Sequence, residues 1–425
     1  MKREHSIKRK IKYVLGGTAL GHHYYQFLLV HTLFLVFTRI PGIFINTLLM
    51  NQTGSINSTL FYNGAIFAAC AVMMLLSAHI MHRTQSKVTA VIGILGYNLL
   101  YLCYILFQDR VGQYYMLFGL ANGMADGFYY ISYGRMILSC TETWNRDSGM
   151  GIISIFSAAV NLLVPLFSGS LISLIGGVKG YVVVFIVAFL VAFATLLAVF
   201  RLPNEIRHRE KPGVHYLKFL KLICQKRQIL YGLLGETMKG VREGTFMFIL
   251  NMILYQLVKN EFLIGCNSFL SGAASILCFW FMSHFIRPDN RQKYMVAAIC
   301  ILTGVSLISL WDVNPVMVVV FAVINAFFAG MIEISCYTTF FDISQSVPEA
   351  EQYTPELLAF HEVFVVVGRC AGLFAFAVIN TIFHGALQAQ LASLLLLTVF
   401  QFFTVLLCRK ARVTAGRISE KTVKI

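Results

Sequence analysis

Charge is what this sequence has little of. Only 12% of its 425 residues are Asp, Glu, Lys or Arg, against roughly 25% in a soluble protein. That shortage excludes an ordinary water-soluble domain. Hydrophobic residues make up 58% of the chain and mean hydropathy is +0.72, so the solvent for most of its surface has to be a bilayer. Catalytic motifs are missing too. There is no P-loop, HExxH, GxSxG or Asp-rich metal motif, and His22-His23 and His361-Glu362 stand isolated. This argues against a polytopic membrane enzyme and against an ATP-driven pump acting alone. The ten cysteines fall singly, without a CxxC pair or His/Cys cluster, so neither a zinc site nor a disulfide framework is expected, and no cofactor is implied. A cleaved secretory signal is not expected at the start either. The basic start (Lys2, Arg3, Lys8, Arg9, Lys10, Lys12) leads into an apolar stretch over 24–50 that is longer than the roughly 7–15 residues of a signal core.

What is present is a series of apolar runs, each near the ~20 residues that cross a bilayer. About twelve are read: 24–50, 58–81, 88–107, 113–140, 148–175 and 180–201, then 229–257, 262–286, 293–311, 313–341, 355–383 and 386–408. The expected organisation is all-α, with a six-span half over 1–201, a basic linker over 202–228, a second six-span half over 229–408 and a basic tail over 409–425. Lys and Arg collect on one set of connections: the N-terminal cluster, Arg83 and Lys87, Arg146, the linker, Arg287 to Lys293, and the tail. The opposite set offers little beyond Arg110, Lys179 and Lys259. Positive residues favour the cytoplasmic side, which places both termini there. The connection 342–354 departs from this pattern by carrying Asp342, Glu349 and Glu351 and no Lys or Arg. Because the basic residues lie between apolar segments, nucleic acid is not an expected partner. Within the linker, 214–228 reads as an amphipathic surface helix, with Val214, Leu217, Leu220 and Ile223 toward lipid and Lys218 and Lys221 toward water.

One stretch repeats. NGMADGFYYISY (122–133) and NAFFAGMIEISC (325–336) share a frame in which Asn122 matches Asn325, Gly127 matches Gly330, and Ile131-Ser132 matches Ile334-Ser335, all 203 residues apart. Arg39 and Arg242 stand at the same separation, and Asn46 matches Asn251 at 205. Six spans lie between the copies, so both run in the same direction through the membrane. That describes two parallel halves related by an axis along the membrane normal.

With this layout the chain resembles the major facilitator superfamily over nearly its whole length. The resemblance rests on the 6+6 spans, the basic central linker, and the loop after span two. There AHIMHRTQSK (78–87) is similar to a worn G-x-x-x-D-R-x-G-R-R signature, with Ala78 for the first Gly, His82 for the Asp, and Arg83 and Lys87 keeping the basic character. VPLFSG (164–169) in span five is similar to a decayed antiporter motif that keeps Pro165 and Gly169, and NQTGS, DGFYY and VREGTF look most like a poorly characterised bacterial branch. The resemblance implies alternating access by rocking of the two halves, a cavity lined by spans one, four, seven and ten, and a conformational role for Arg83 and Lys87.

Ionisable residues at membrane depth cost about 2.5–3.5 kcal/mol on insertion scales and mark functional sites by default. The set here is Arg39, Asp126, Arg135, Glu236, Lys239, Arg242, Glu243, Glu333, Glu362 and Arg369. Helical spacing puts Asn122, Asp126, Tyr129 or Tyr130, and Tyr133 on one face of span four. Beside it Gly119, Gly123 and Gly127 form a smooth ridge for a neighbouring helix. The bland alternative for Asp126 is an ion pair with Arg39 or Arg369. Glu236 and Lys239 are spaced to neutralise each other within span seven, which leaves Arg242 and Glu243 as its cavity candidates. The expected cavity residues are therefore Arg39, Asn122, Asp126, Tyr130, Tyr133, Asn161, Arg242, Glu243, Glu333 and Arg369. Asp126, Glu243 and Glu333 are the candidate proton carriers. The expected activity is secondary transport of a small organic solute, proton-coupled, by a monomer in a bacterial cytoplasmic membrane. An organic-anion or phosphate-ester exchanger using Arg39 and Arg242 is the alternative, since guanidinium pairs recognise such groups. A transporter fold serving as a sensor or scaffold is a third. Tyr129-Tyr130 and Phe279-Trp280 are read as packing or lipid-facing rings. The sequons at Asn51 and Asn57 lie on the side away from the termini.

Overall fold

The computed structural model describes residues 20–141, 146–202, 215–285, 290–311, 313–345, 347 and 354–423, apart from scattered side chains. The N-terminal basic cluster, the side chains of Arg83 and Arg146, linker residues 203–214, the acids Glu349 and Glu351, and the tail side chains beyond 414 lie outside the described residues.

Helices account for nearly all of the described chain, and no strand occurs among them. Span one is two helices, α1 (His22–Gly42) and α2 (Phe44–Thr53). Spans two to six are α3 (Ile56–Arg83), α4 (Ser86–Phe107), α5 (Tyr115–Cys140), α6 (Arg146–Ile175) and α7 (Gly177–Phe200). A short helix, α8 (Tyr216–Gln225), precedes span seven, again split into α9 (Arg227–Phe246) and α10 (Ile249–Val258). Spans eight to twelve are α11 (Glu261–Phe285), α12 (Arg291–Ile308), α13 (Pro315–Gln345), α14 (Thr354–Ile382) and α15 (Leu387–Val423). Among the described residues, ten helical stretches are long and apolar enough to cross a membrane. The other two spans, α5 and α9, hold much of the glycine and ionisable sequence. Hydropathy marks where a bilayer ends, not where a helix ends, so α15 runs on past the expected 408 to Val423.

The halves touch through α3 against α14 and α6 against α11, which is one contact generated twice by an approximate two-fold axis. The repeat also shows in side-chain detail. Asn63 donates to Asn46 Oδ1 at 2.8 Å, and Asn267 donates to Asn251 Oδ1 at 2.7 Å. The first span of each half breaks at the same place, at Ile43 in one and at Met247-Phe248 in the other. In α1 the cause is local: Pro41 has no N–H to give the Phe37 carbonyl, one turn back. Tyr101 Oη donates to that carbonyl instead, at 3.0 Å.

Glycine lets spans two and four meet backbone to backbone. A Cβ at Gly119 would lie 2.5 Å from the Tyr62 carbonyl oxygen, and one at Gly123 2.2 Å from that of Ile66. On α4, Leu95, Leu99, Leu102 and Leu106 form an exposed stripe, suited to lipid, opposite a face carrying Tyr97, Tyr101 and Tyr104. The terminal face is tied by Tyr24 Oη donating to the Gly149 carbonyl at 2.7 Å. Lys87 Nζ caps the end of α7 there, on the Phe200 and Leu202 carbonyls at 2.8 and 2.9 Å, a favourable place for a cation. The short helix α8 lies on this face with one correction to the amphipathic reading. Leu217 and Leu220 are exposed, but Ile223 is buried with Phe219 against Phe340 and Leu357, because a helix on the bundle has an apolar face to cover as well as one for lipid.

Candidate functional site

In the first half, α1, α3, α4 and α5 surround a cavity of about 140 Å³. Its wall includes Arg39 and Thr38 from α1, Tyr62 and Asn63 from α3, Tyr97, Tyr101 and Tyr104 from α4, and Asn122, Asp126 and Tyr130 from α5. The last turn of α1, before the break, contributes Pro41 and Gly42. Tyr97 Oη donates to Asp126 Oδ1 at 2.6 Å. Asn122 Nδ2 donates to Tyr62 Oη at 3.0 Å, and Tyr62 shares a 3.0 Å hydrogen bond with Tyr104. Arg39 is exposed into this space and, among the described residues, makes no hydrogen bond or ion pair. The ion pairs considered for Asp126 are therefore not formed: its partner is a neutral phenol.

The second half treats its charges differently. Lys239 Nζ lies 2.6 Å from Glu236 and 3.6 Å from Glu243. Arg369 donates to Glu243 Oε1 at 2.5 Å. His361 extends the chain, with one ring nitrogen 3.4 Å from Glu236 and the other 3.4 Å from Glu362. Reciprocal glycines set this up. Gly240 and Gly244 of α9 press on the α14 backbone near Arg369, and Gly368 and Gly372 press back on the Thr237 and Val241 carbonyls. The helices are thus close enough for short side-chain contacts. Arg242, the counterpart of Arg39, is 1% exposed. Its guanidinium stacks 3.7 Å from the centroid of the Phe246 ring, donates from Nε to Thr398 Oγ1 at 3.2 Å, and donates from Nη2 to Asn325 Oδ1. The paired-arginine arrangement of the exchanger alternative is absent, because one of its two arginines is held inside the bundle. Glu333 is exposed beside Glu243, Lys239 and Arg369, whose charges it feels.

Of the expected residues, Arg39, Asn122, Asp126 and Tyr130 meet in one cavity. Tyr133 does not join them: it stacks on His31, with ring centroids 4.3 Å apart. Asn161 is exposed on α6 and is not part of that cavity wall. The residues missed are Tyr62, Asn63 and the α4 tyrosines. Helical spacing puts the tyrosines at 97, 101 and 104 on one face of α4 but does not say whether that face meets lipid or a cavity.

The face away from the termini is clasped shut across the halves. Asn51 Nδ2 donates to Tyr255 Oη at 2.6 Å, and Tyr181 and Tyr255 both donate to Glu261 Oε1, at 2.6 and 3.0 Å. A second clasp joins Asn57 to Thr381 and Asn380, each at 2.8 Å. Both sequon asparagines are thus structural in this state.

The family model for the Major Facilitator Superfamily matches residues 27–373. An uncharacterized Bacillus subtilis protein, YqgE, is 21% identical over 376 residues, covering 87% of this chain and 85% of its own. An uncharacterized protein from the sodM 3' region of Geobacillus stearothermophilus is 24% identical over 142 residues, covering 33% and 66%. Among solved structures, the nucleoside transporter NupG superposes with a TM-score of 0.66 at 14% identity, covering 93% of this chain and 99% of that one. A D-xylose–proton symporter superposes at 0.68 and 12%, covering 89% and 97%. The parallel halves, the α3–α14 and α6–α11 seams and the matched sequence have one conclusion: this integral membrane protein belongs to the Major Facilitator Superfamily.

Proposed function

We propose that the protein is a secondary transporter of a small organic solute, proton-coupled and working by alternating access, with the first-half cavity as its solute site. The observation that carries this reading is the cavity itself. It holds a guanidinium without a partner among the described residues and a carboxylate with one neutral partner, inside the first half of a protein whose two halves are clasped on the face away from the termini. Buried polar groups are normally satisfied within the protein, so groups left open at membrane depth serve something that arrives and leaves. Solved structures with this fold include a nucleoside transporter and a D-xylose–proton symporter, in keeping with a small polar cargo.

Asp126 and Glu333 are the proton carriers in this reading, because neither is paired with a cation among the described residues. Glu243 is engaged by Arg369 and Lys239 within the second half and holds that network together. The units are the two halves, 1–201 and 229–408, joined by the 202–228 linker, in a monomer. The basic connections and the bacterial relatives support a bacterial cytoplasmic membrane with both termini inside, so the clasped face is the outer one and the state is inward-facing.

The test is a solute screen by thermal stability of the purified protein in detergent at two pH values, with Asp126→Asn alongside. A solute class that stabilises wild type but not the variant is the expected result. No response to any solute, with no dependence on pH, would sink the reading.

A further inference from the structure

We infer that the first-half cavity selects a small zwitterion, a solute carrying one anionic and one ammonium group a few bonds apart, as in a free amino acid. The inference rests on the transport reading and narrows its cargo. Arg39 and Asp126 enter the same cavity from different helices, α1 and α5, and neither forms an ion pair with the other. Asp126 keeps one oxygen beyond its bond to Tyr97, and the Tyr130 hydroxyl has no hydrogen-bond partner among the described residues.

Each class of solute fares differently against these walls. A neutral polyol can hydrogen-bond to both ions but brings a countercharge to neither. A monoanion satisfies Arg39 and meets repulsion from Asp126; a monocation does the reverse. Only a solute with both charges gains an ion-paired hydrogen bond at each end. Tyrosine rings and hydroxyls of α3 and α4 enclose what lies between. The volume, about 140 Å³, is below the roughly 300–1,000 Å³ of common ligand pockets, in keeping with a small solute.

The second half supports this by contrast. At the positions equivalent to Arg39, Asn122 and Asp126 stand Arg242, Asn325 and Ala329. There the guanidinium is already satisfied by the asparagine and the acid is gone. The zwitterion clamp exists once.

The experiment compares L-alanine and L-serine with their methyl esters, their N-acetyl derivatives and D-xylose. The readout is the thermal shift of the full-length protein in detergent, at up to about 10 mM, above the ordinary KM range. The free amino acids should stabilise wild type, and both blocked forms should bind about tenfold or more weaker. Arg39→Gln should erase the preference over the ester, and Asp126→Asn the preference over the N-acetyl acid. Arg39→Lys, which keeps the charge, should retain partial discrimination and guards against misfolding. A blocked form binding as well as its parent, or no response to either amino acid, overturns the inference. Proteoliposome uptake separates it from the broader reading. A sugar or monocarboxylate that binds and is moved leaves transport standing and removes the zwitterion. An amino acid that binds with this selectivity but is not moved keeps the zwitterion and removes transport.

Discussion

The two halves begin from the same frame and end with opposite treatments of the same arginine. Arg39 is exposed in a polar cavity and unpaired among the described residues, while Arg242 is buried, stacked and hydrogen-bonded. What differs is the company. Asn122 turns to Tyr62, so Arg39 gets nothing from it, whereas Asn325 turns to Arg242. Thr398 on α15 supplies a further acceptor to Arg242. Pseudo-symmetry in sequence thus yields one half with open valences and one that is nearly closed on itself. A duplicated fold can specialise this way, with one half holding ligand and the other holding shape.

The sharpest way to break this comparison is to remove one cation from each half. Lys239→Met takes the ammonium from buried Glu236 and from Glu243, leaving them only His361 and Arg369, and should cost about 3–5 kcal/mol. Arg39→Met removes a cation that has no partner among the described residues and should cost no more than about 1 kcal/mol. Thermal midpoints in detergent check the pair, and equal losses would contradict the contrast. A finer comparison uses the matched asparagines. Asn325→Leu strips a hydrogen bond from a buried guanidinium and should cost about 1.5–3 kcal/mol, whereas Asn122→Leu leaves Tyr62 its bond to Tyr104 and should cost about 0.5–1.5 kcal/mol. The smallest effect is expected at the seam. Asn57→Ala removes two cross-half hydrogen bonds and should lower stability by only ~1 kcal/mol. It should nevertheless raise maleimide labelling of Cys370, whose sulfur sits 3.9 Å from the Gly64 carbonyl between the halves. Unchanged labelling would mean that this clasp does not hold the face shut.

How much of this was legible varies by residue. The glycine ridge of span four was readable because a ridge is a property of one helix, and the structure shows it pressed on Tyr62 and Ile66. The Glu236–Lys239 pair was readable for the same reason, being one turn apart. Tyr97, Tyr101 and Tyr104 were passed over because spacing alone does not say whether a ring faces lipid or a cavity. Tyr133 was placed beside Asp126 on a face that is too wide: the helix presents Tyr130 to the cavity and turns Tyr133 onto His31.

That the bilayer is the solvent, that the chain is a series of spans and that its two halves run parallel can all be read along the chain. These follow from hydropathy, length and repeat, which are local or additive along the chain. Packing settled which charges on different helices are paired. A guanidinium reaches several helices, and its partner is set by which one lies within hydrogen-bond distance, a consequence of glycines and a proline elsewhere. Arg39 and Arg242 share a position in the repeat, but Phe246, Asn325 and Thr398 surround only the second, and the first is left for a ligand.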